Sequence, residues 1–119
     1  MAKTEITVIE DDDDLINLIQ GALRANGYEV KTRHHWDGHP GIMLSDLYII
    51  DVNLGARMTG IEICRELKTH SGDKPRVILI SANPDLRQLA LEACADDTLA
   101  KPFSARELLE KISTLLPVA

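Results

Sequence analysis

Residues 47–51, Leu-Tyr-Ile-Ile-Asp, are apolar without interruption until the last position, which carries a carboxylate. A strand with one solvent-facing side alternates apolar and polar residues, whereas a strand covered on both faces is apolar throughout. Doubly covered strands occur mainly in parallel sheets that lie between two layers of helices. This segment therefore predicts the central strand of an α/β protein, with Asp51 at the carboxyl end of the strand.

Short apolar runs alternate with amphipathic segments on both sides of this strand, which indicates repeated strand–helix units. The other predicted strands cover residues 6–9, 28–31, 77–80 and 98–100. Helices are predicted after the acids at 12–14, after the capping boxes Thr59-x-x-Glu62 and Ser104-x-x-Glu107, and from about Pro84, capped by Asn83, to Ala93. Glycine and proline interrupt residues 38–41, so we expect at most a short helix at residues 41–45.

Composition limits the possible functions. The chain has 119 residues, a size that suits one domain with a single core. Its hydrophobic share of 45% and charged share of 27% are typical of soluble globular proteins. The net charge is −6 and the lysines and arginines do not cluster, so we expect no direct nucleic-acid partner. No signal peptide or membrane-length apolar run is visible, so we expect a cytoplasmic protein without a membrane partner.

Two other groups of metal-ligating side chains favour ordinary structural roles. Cys64 and Cys94 stand 30 positions apart without a CxxC pattern, and we expect free thiols buried on helices. His34, His35 and His39 could form a transition-metal site, but the glycine and proline among them disturb any helical spacing. Solvated loop histidines are the favoured interpretation.

Charged and polar residues follow the predicted strands. Parallel strands place their carboxyl ends at one edge of the sheet, where ligands bind. The residues at this edge are three acids, one hydroxyl and one ammonium: Glu10, Asp11, Asp51, Ser81 and Lys101. Adjacent carboxylates raise one another's pKa and need a counter-charge, for which oxygen-preferring Mg²⁺ is the best candidate. With Lys101 and the Ser81 hydroxyl, this pocket could hold a phosphoryl group, and one carboxylate would accept it.

The five consecutive acids at residues 10–14 divide into two groups. Glu10 and Asp11 end the first strand, so we expect them to face the site. Residues 12–14 stand at the start of the first helix, where the helix dipole favours negative charge by about 0.3–1 kcal/mol each. We therefore expect two acids with a chemical role and three that stabilise the helix.

Five blocks of the sequence resemble, in order, the receiver domain of two-component response regulators, the CheY-like family. They are VIEDD with the helix that follows it, LYIIDVNL, GIEICREL, VILISA and LAKPF. The resemblance covers the whole chain and implies a flavodoxin-like, doubly wound sheet of five parallel strands in the order 2-1-3-4-5. Helices would lie on both faces, with the second helix short or broken. Residues 1–119 would form one receiver domain without an output domain.

The resemblance also implies a function and a role for each site residue. Asp51 would accept a phosphoryl group from a histidine kinase or a phosphotransfer protein, and Ser81 and Lys101 would contact the phosphoryl oxygens. The implied Mg²⁺ ligands are Glu10, Asp11, Asp51 and the carbonyl of Asn53, and no other cofactor is implied. Asn53 and Asn83 would tune hydrolysis of the acyl phosphate. The protein would signal to an unidentified downstream protein by direct contact, and it would catalyse only its own phosphorylation and dephosphorylation.

The sequence departs from the family pattern at four places. The turn after the acceptor, residues 55–60, has one extra residue and lacks the usual Pro-Gly. The segment from Ser81 to Lys101 is about two residues shorter than usual, Thr98 stands where an aromatic residue is usual, and Cys94 stands where glycine is usual. These changes leave two questions undecided: whether the usual aromatic relay operates, and whether a homodimer forms through the last two helices and the last strand. The region around Trp36 is a competing contact surface.

Two alternatives remain. An atypical receiver would act as an interaction module without phosphorylation, which the altered relay permits and the complete set of site residues disfavours. A different enzyme or carrier of similar fold fits less well. A phosphatase with an aspartate nucleophile would need a second acid at position 53, which is Asn53, and a flavodoxin would not place acids where phosphate binds.

Overall fold

A computed structural model describes residues 3–36, 45–54, 59–71 and 75–116 of the chain. In chain order the elements are β1 (Glu5–Ile9), α1 (Asp13–Ala25), β2 (Glu29–Arg33), β3 (Leu47–Asp51), α2 (Gly60–Ser71), β4 (Arg76–Ser81), α3 (Leu86–Ala93), β5 (Asp97–Ala100) and α4 (Ala105–Leu115). The short helix expected at residues 41–45 falls mostly outside the described residues, and Ser45 itself is not helical.

The five strands form one parallel sheet in the order β2-β1-β3-β4-β5, which confirms the predicted topology. β3 lies at the centre, and all five of its residues are buried. The uninterrupted apolar run therefore marks a strand that is covered on both faces. Asp51 pairs with Ile80 of β4, so the end of β3 lies beside the end of β4.

An apolar core lies on each face of the sheet. Successive side chains of a strand point to opposite faces, so the neighbours Ile49 and Ile50 of β3 belong to different cores. Ile50 packs with residues of α2 and α3, including Ile63, Leu67 and Ala90. Ile49 packs with residues of α1 and α4, including Ile19, Leu23, Leu108 and Ile112. Each fully buried aliphatic side chain contributes about 1.5–3 kcal/mol, so both layers hold β3 firmly in place.

Side-chain caps fix the helix ends that face the site. The Asp12 carboxylate accepts hydrogen bonds from Asp14 N at 3.0 Å and Leu15 N at 3.3 Å, so Asp12 is the N-cap of α1. Reciprocal bonds between Thr59 and Glu62 cap α2. The predicted capping box at Ser104 is also confirmed. These caps satisfy backbone N–H groups that have no partner within the helix.

The predicted start of α3 is wrong. The helix begins at Leu86, two residues after Pro84, and its N-cap residue is Asp85. Asn83 instead closes a separate turn, in which its side-chain oxygen accepts from Asp85 N at 2.8 Å and its carbonyl accepts from Leu86 N at 3.1 Å. The Asn-Pro pair suits either a helix start or a turn, and here the turn forms.

The expectation that both cysteines are buried on helices is correct for Cys64 and wrong for Cys94. Cys64 is fully buried in α2. Cys94 is exposed and ends α3 in the left-handed conformation, with φ at 61°. Its backbone N–H donates to the carbonyls of Ala90 and Leu91, which closes the helix. Glycine favours this backbone region, and Cys94 occupies it in place of glycine.

Candidate functional site

Three carboxylates meet at the carboxyl edge of the sheet. One oxygen each from Glu10, Asp11 and Asp51 lies within 4.8 Å of the others. Glu10 and Asp11 follow β1, and Asp51 ends the adjacent strand β3, so the parallel topology brings them together. Glu10 and Asp51 are buried, whereas Asp11 is exposed.

Lys101 joins two of these acids. Its Nζ lies 2.8 Å from Asp51 Oδ2 and 3.1 Å from Glu10 Oε2. Burial by itself would lower the pKa of Lys101, but the hydrogen bonds and charges of Asp51 and Glu10 outweigh it and raise the pKa. The ammonium therefore stays charged and offsets part of the negative charge of the site. The Lys101–Pro102 peptide bond is cis.

The second oxygen of Asp51 is held by the chain that follows it. Asn53 N donates to Asp51 Oδ1 at 2.9 Å, and Val52 N donates to Ile80 O at 3.0 Å. On the other side of this segment, Gly60 N donates to Val52 O at 2.9 Å. The sequence interpretation assigned only the carbonyl of Asn53 and missed its amide. The two-residue spacing typical of an Asx turn is the signal that would have indicated it.

Glu10 is the most deeply buried acid of the site, with 0% of its surface exposed. Its Oε1 accepts from Asp11 N at 3.0 Å and from Asp12 N at 3.2 Å, whereas the buried Oε2 faces Lys101 without a well-directed hydrogen bond. Burial, followed by the hydrogen bond and charge of Asp51, raises the pKa of Glu10 to about 7. The site thus resists the loss of this proton near neutral pH.

The charge of the site fits a divalent cation. When all three carboxylates are ionised, they and the one lysine carry a formal charge of −2, and one buried carboxylate oxygen lacks a hydrogen bond. The ligand atoms that converge are oxygens, which Mg²⁺ prefers. Among the described residues, these three acids are the one group of three His, Cys, Asp or Glu side chains whose ligand atoms lie close enough together to hold a single ion.

Ser81 lies at the end of β4 and is buried. Its hydroxyl accepts a hydrogen bond from Asn83 N at 3.0 Å, and its carbonyl accepts from Lys101 N at 2.9 Å. Ser81 is therefore joined through its backbone to the residue that carries the ammonium of the site. Thr98 lies within β5, where it pairs with Leu79 and is half-buried.

The histidine and tryptophan segment stands apart from this cluster. His34 Nε2 lies 2.6 Å from Asp13 Oδ1 in an exposed pair, and His39 falls outside the described residues. Trp36 is buried and packs edge-to-face on Tyr48 with ring centroids 6.3 Å apart. The Trp36 side chain therefore belongs to the core. The contact surface expected around it stays a prediction, because residues 37–44 lie outside the described ranges.

Comparison with known proteins identifies the family. Residues 6–113 match the response regulator receiver domain. The chain belongs to the response regulator receiver domain family. The receiver is 33% identical over 117 residues to response regulator MprA of Mycobacterium avium, a match that covers 93% of this chain and 50% of that protein. It is 31% identical to the alkaline phosphatase synthesis transcriptional regulatory protein PhoP of Bacillus subtilis, covering 94% and 48%.

Solved receiver structures have the same fold. Response regulator DrrB of Thermotoga maritima superposes with a TM-score of 0.86 at 28% identity, covering 97% of this receiver and 53% of that chain. The receiver domain of NtrX from Brucella abortus gives 0.83 at 26% identity, covering 96% and 99%. The chain thus spans about half the length of the curated relatives described above. Within the described ranges, no helix has the length and apolarity needed to cross a membrane.

Proposed function

We propose that this receiver is a phosphoacceptor switch of a two-component phosphorelay and that Asp51 is the acceptor. The observation that carries the proposal is the environment of the Asp51 carboxylate. It is buried, one oxygen accepts from the Asn53 amide, and the other pairs with Lys101 beside two further acids. A carboxylate held in this way is oriented before any donor arrives, which lowers the entropic cost of reaction.

The proposed step is an in-line transfer to a carboxylate oxygen of Asp51. A new O–P bond forms while the P–N bond of a phosphohistidine on the donor breaks, and the imidazole leaves with the bonding electron pair. Lys101 lies close enough to pair with an oxygen of the transferred group. Ser81, at the end of the adjacent strand, would donate a hydrogen bond from its hydroxyl to another oxygen. Hydrolysis of the acyl phosphate later returns Asp51 to a carboxylate.

We propose Mg²⁺ as the cofactor of this step. Asp11, Asp51 and the carbonyl of Asn53 would hold the ion, with Glu10 supporting Asp11 from the interior. Bound there, Mg²⁺ would neutralise negative charge on the phosphoryl oxygens. The formal charge of −2 and the oxygen ligands described above support this assignment.

The proposed phosphoryl donor is a histidine kinase or a phosphotransfer protein, and the proposed output is contact with another protein in the cytoplasm. One relative, PhoP of Bacillus subtilis, is named a transcriptional regulatory protein, and this chain covers about half of it. We propose no direct contact with nucleic acid, because the chain carries a net charge of −6. We also propose a homodimer in which the surface formed by α3, β5 and α4 contacts a second copy of the chain.

Phosphorylation is tested by incubating the protein with acetyl phosphate and Mg²⁺ and weighing the intact chain. The wild type should gain one phosphoryl group, and Asp51→Asn should gain none. Asp85→Asn is the matched control, because Asp85 makes no side-chain capping hydrogen bond and its replacement should leave the mass gain unchanged. If wild type and Asp51→Asn both keep their mass, the atypical receiver that binds partners without phosphorylation becomes the better interpretation.

A further inference from the structure

Gly60, the first residue of α2, lies against the backbone of the acceptor residue. A Cβ atom at this position would stand 2.2 Å from the carbonyl oxygen of Asp51 and 2.8 Å from the Cα of Val52. A carbon atom ordinarily approaches a carbonyl oxygen to about 3.3 Å. Any side chain at position 60 would therefore force the two backbones apart by about 1 Å.

We propose that Gly60 is a positioning residue for phosphoryl transfer: its missing side chain lets α2 hold residues 51–53 in the conformation that aims the Asp51 carboxylate. The inference rests on the proposed role of Asp51 as the phosphoacceptor.

The surrounding packing determines which part of the chain must yield to a side chain. β3 is the central strand, and Val52 N is tied to β4 through Ile80 O at 3.0 Å. α2 is anchored by Ile63 and Leu67, both fully buried in the core. The strand and the helix can separate only by exposing apolar surface. The Asp51–Val52 peptide unit that a Cβ would meet can yield at lower cost by rotating together with the adjacent turn at Asn53, whose side chain is exposed.

The turn that would move carries the geometry of the site. Asn53 N donates to Asp51 Oδ1 at 2.9 Å, and the Asn53 carbonyl is the proposed metal ligand. Gly60 N holds the preceding carbonyl, Val52 O, at 2.9 Å. A displacement of about 1 Å here would weaken the amide hydrogen bond and turn the carboxylate away from its reactive orientation. Misplacement on this scale can lower a rate about 100-fold.

Gly60→Ala tests the proposal, and Gly21→Ala is its matched control. Both glycines lie in helices, but a Cβ at Gly21 would meet nothing within 4 Å. Both substitutions replace glycine by a better helix former. Gly60→Ala is also prepared in the Gly21→Ala background, so that the added helix propensity supports folding.

Three measurements separate positioning from general damage. The rate of phosphorylation at saturating acetyl phosphate and Mg²⁺ should fall about 10- to 100-fold in Gly60→Ala and stay at the wild-type value in Gly21→Ala. The dissociation constant for Mg²⁺, measured by calorimetry without a phosphoryl donor, should rise. In the metal-free protein, hydrogen exchange at the Asn53 amide should become faster. Destabilisation alone would reduce the fraction of protein that reacts, without changing the rate or the metal affinity of the folded fraction.

Each outcome of these measurements either supports or overturns the positioning role of Gly60. A folded Gly60→Ala protein with wild-type rate, metal affinity and Asn53 exchange would overturn the proposal. So would failure to fold in the Gly21→Ala background, because Gly60 would then be a requirement of the fold as a whole. If wild type itself takes up no phosphoryl group, the proposed function fails, and the Mg²⁺ affinity and Asn53 exchange still decide whether Gly60 positions the site.

Discussion

In the metal-free protein, the free energy of unfolding should fall as the pH rises from about 4.5 to about 7. Burial and the neighbouring Asp51 raise the pKa of Glu10 from 4.5 to about 7, so the folded protein binds more protons than the unfolded chain in this interval. Stability from the neutral carboxyl is complete below pH 4.5 and is lost as the pH rises through 7. At about 1.4 kcal/mol per pH unit, the loss amounts to about 3 kcal/mol.

Urea unfolding with EDTA between about pH 4.5 and pH 8.5 measures this effect. Glu10→Gln keeps the shape of the side chain and cannot ionise. Subtracting its free energy of unfolding from that of the wild type at each pH therefore removes the contribution of other titrating groups. Lys101 remains protonated throughout, because its pKa is raised from 10.5. Mg²⁺ at about pH 8 should restore the stability of the wild type, since it favours the ionised acids. A wild-type-minus-variant difference that stays flat with pH would refute this account of Glu10.

Three further outcomes follow from local packing. Cys94 is exposed and should react with a thiol reagent in the native protein at about pH 8. Burial raises the pKa of Cys64 to about 12, so peptide mass spectra should show label on Cys64 only after unfolding. Asp96→Asn should lower the free energy of unfolding by about 3 kcal/mol, because the mostly buried Lys68 would lose its counter-charge, which lies 2.6 Å away. An unchanged urea midpoint would contradict this. Ser104→Ala should cost about 1 kcal/mol by the same measurement, with Ser104→Thr close to wild type, because only the alanine removes the cap of α4.

The central strand and the meeting of the acids could be predicted from sequence because both follow from one physical constraint. A strand with two covered faces must be apolar throughout, and residues 47–51 have no other simple interpretation. Once the sheet is parallel, its carboxyl ends share one edge, so Glu10 and Asp51 approach each other whatever lies between them. The prediction that residues 12–14 stabilise the first helix is confirmed for Asp12, whose side chain caps α1.

Other features depended on contacts that a sequence pattern does not contain. Asn83-Pro84 is compatible with a helix start and with a turn, and hydrogen bonds from the following residues select the turn. Cys94 adopts a left-handed conformation that the sequence would assign to glycine. The close approach of Gly60 to the acceptor could not be predicted, because the distance from its Cβ position to the Asp51 carbonyl exists only after α2 has packed on the sheet.

The backbone contact between Ser81 and Lys101 bears on how a receiver with Thr98 could transmit its state. In the usual relay an aromatic side chain follows the hydroxyl residue inward, and threonine is too small to take that part. Here Lys101 N donates to Ser81 O at 2.9 Å, which joins the end of β4 directly to the residue after β5. If Ser81 moves toward a phosphoryl oxygen, its carbonyl moves with it, and Lys101 must either follow or lose a buried hydrogen bond worth about 1 kcal/mol. We therefore expect the loop before α4 to respond to phosphorylation even with a small side chain at position 98.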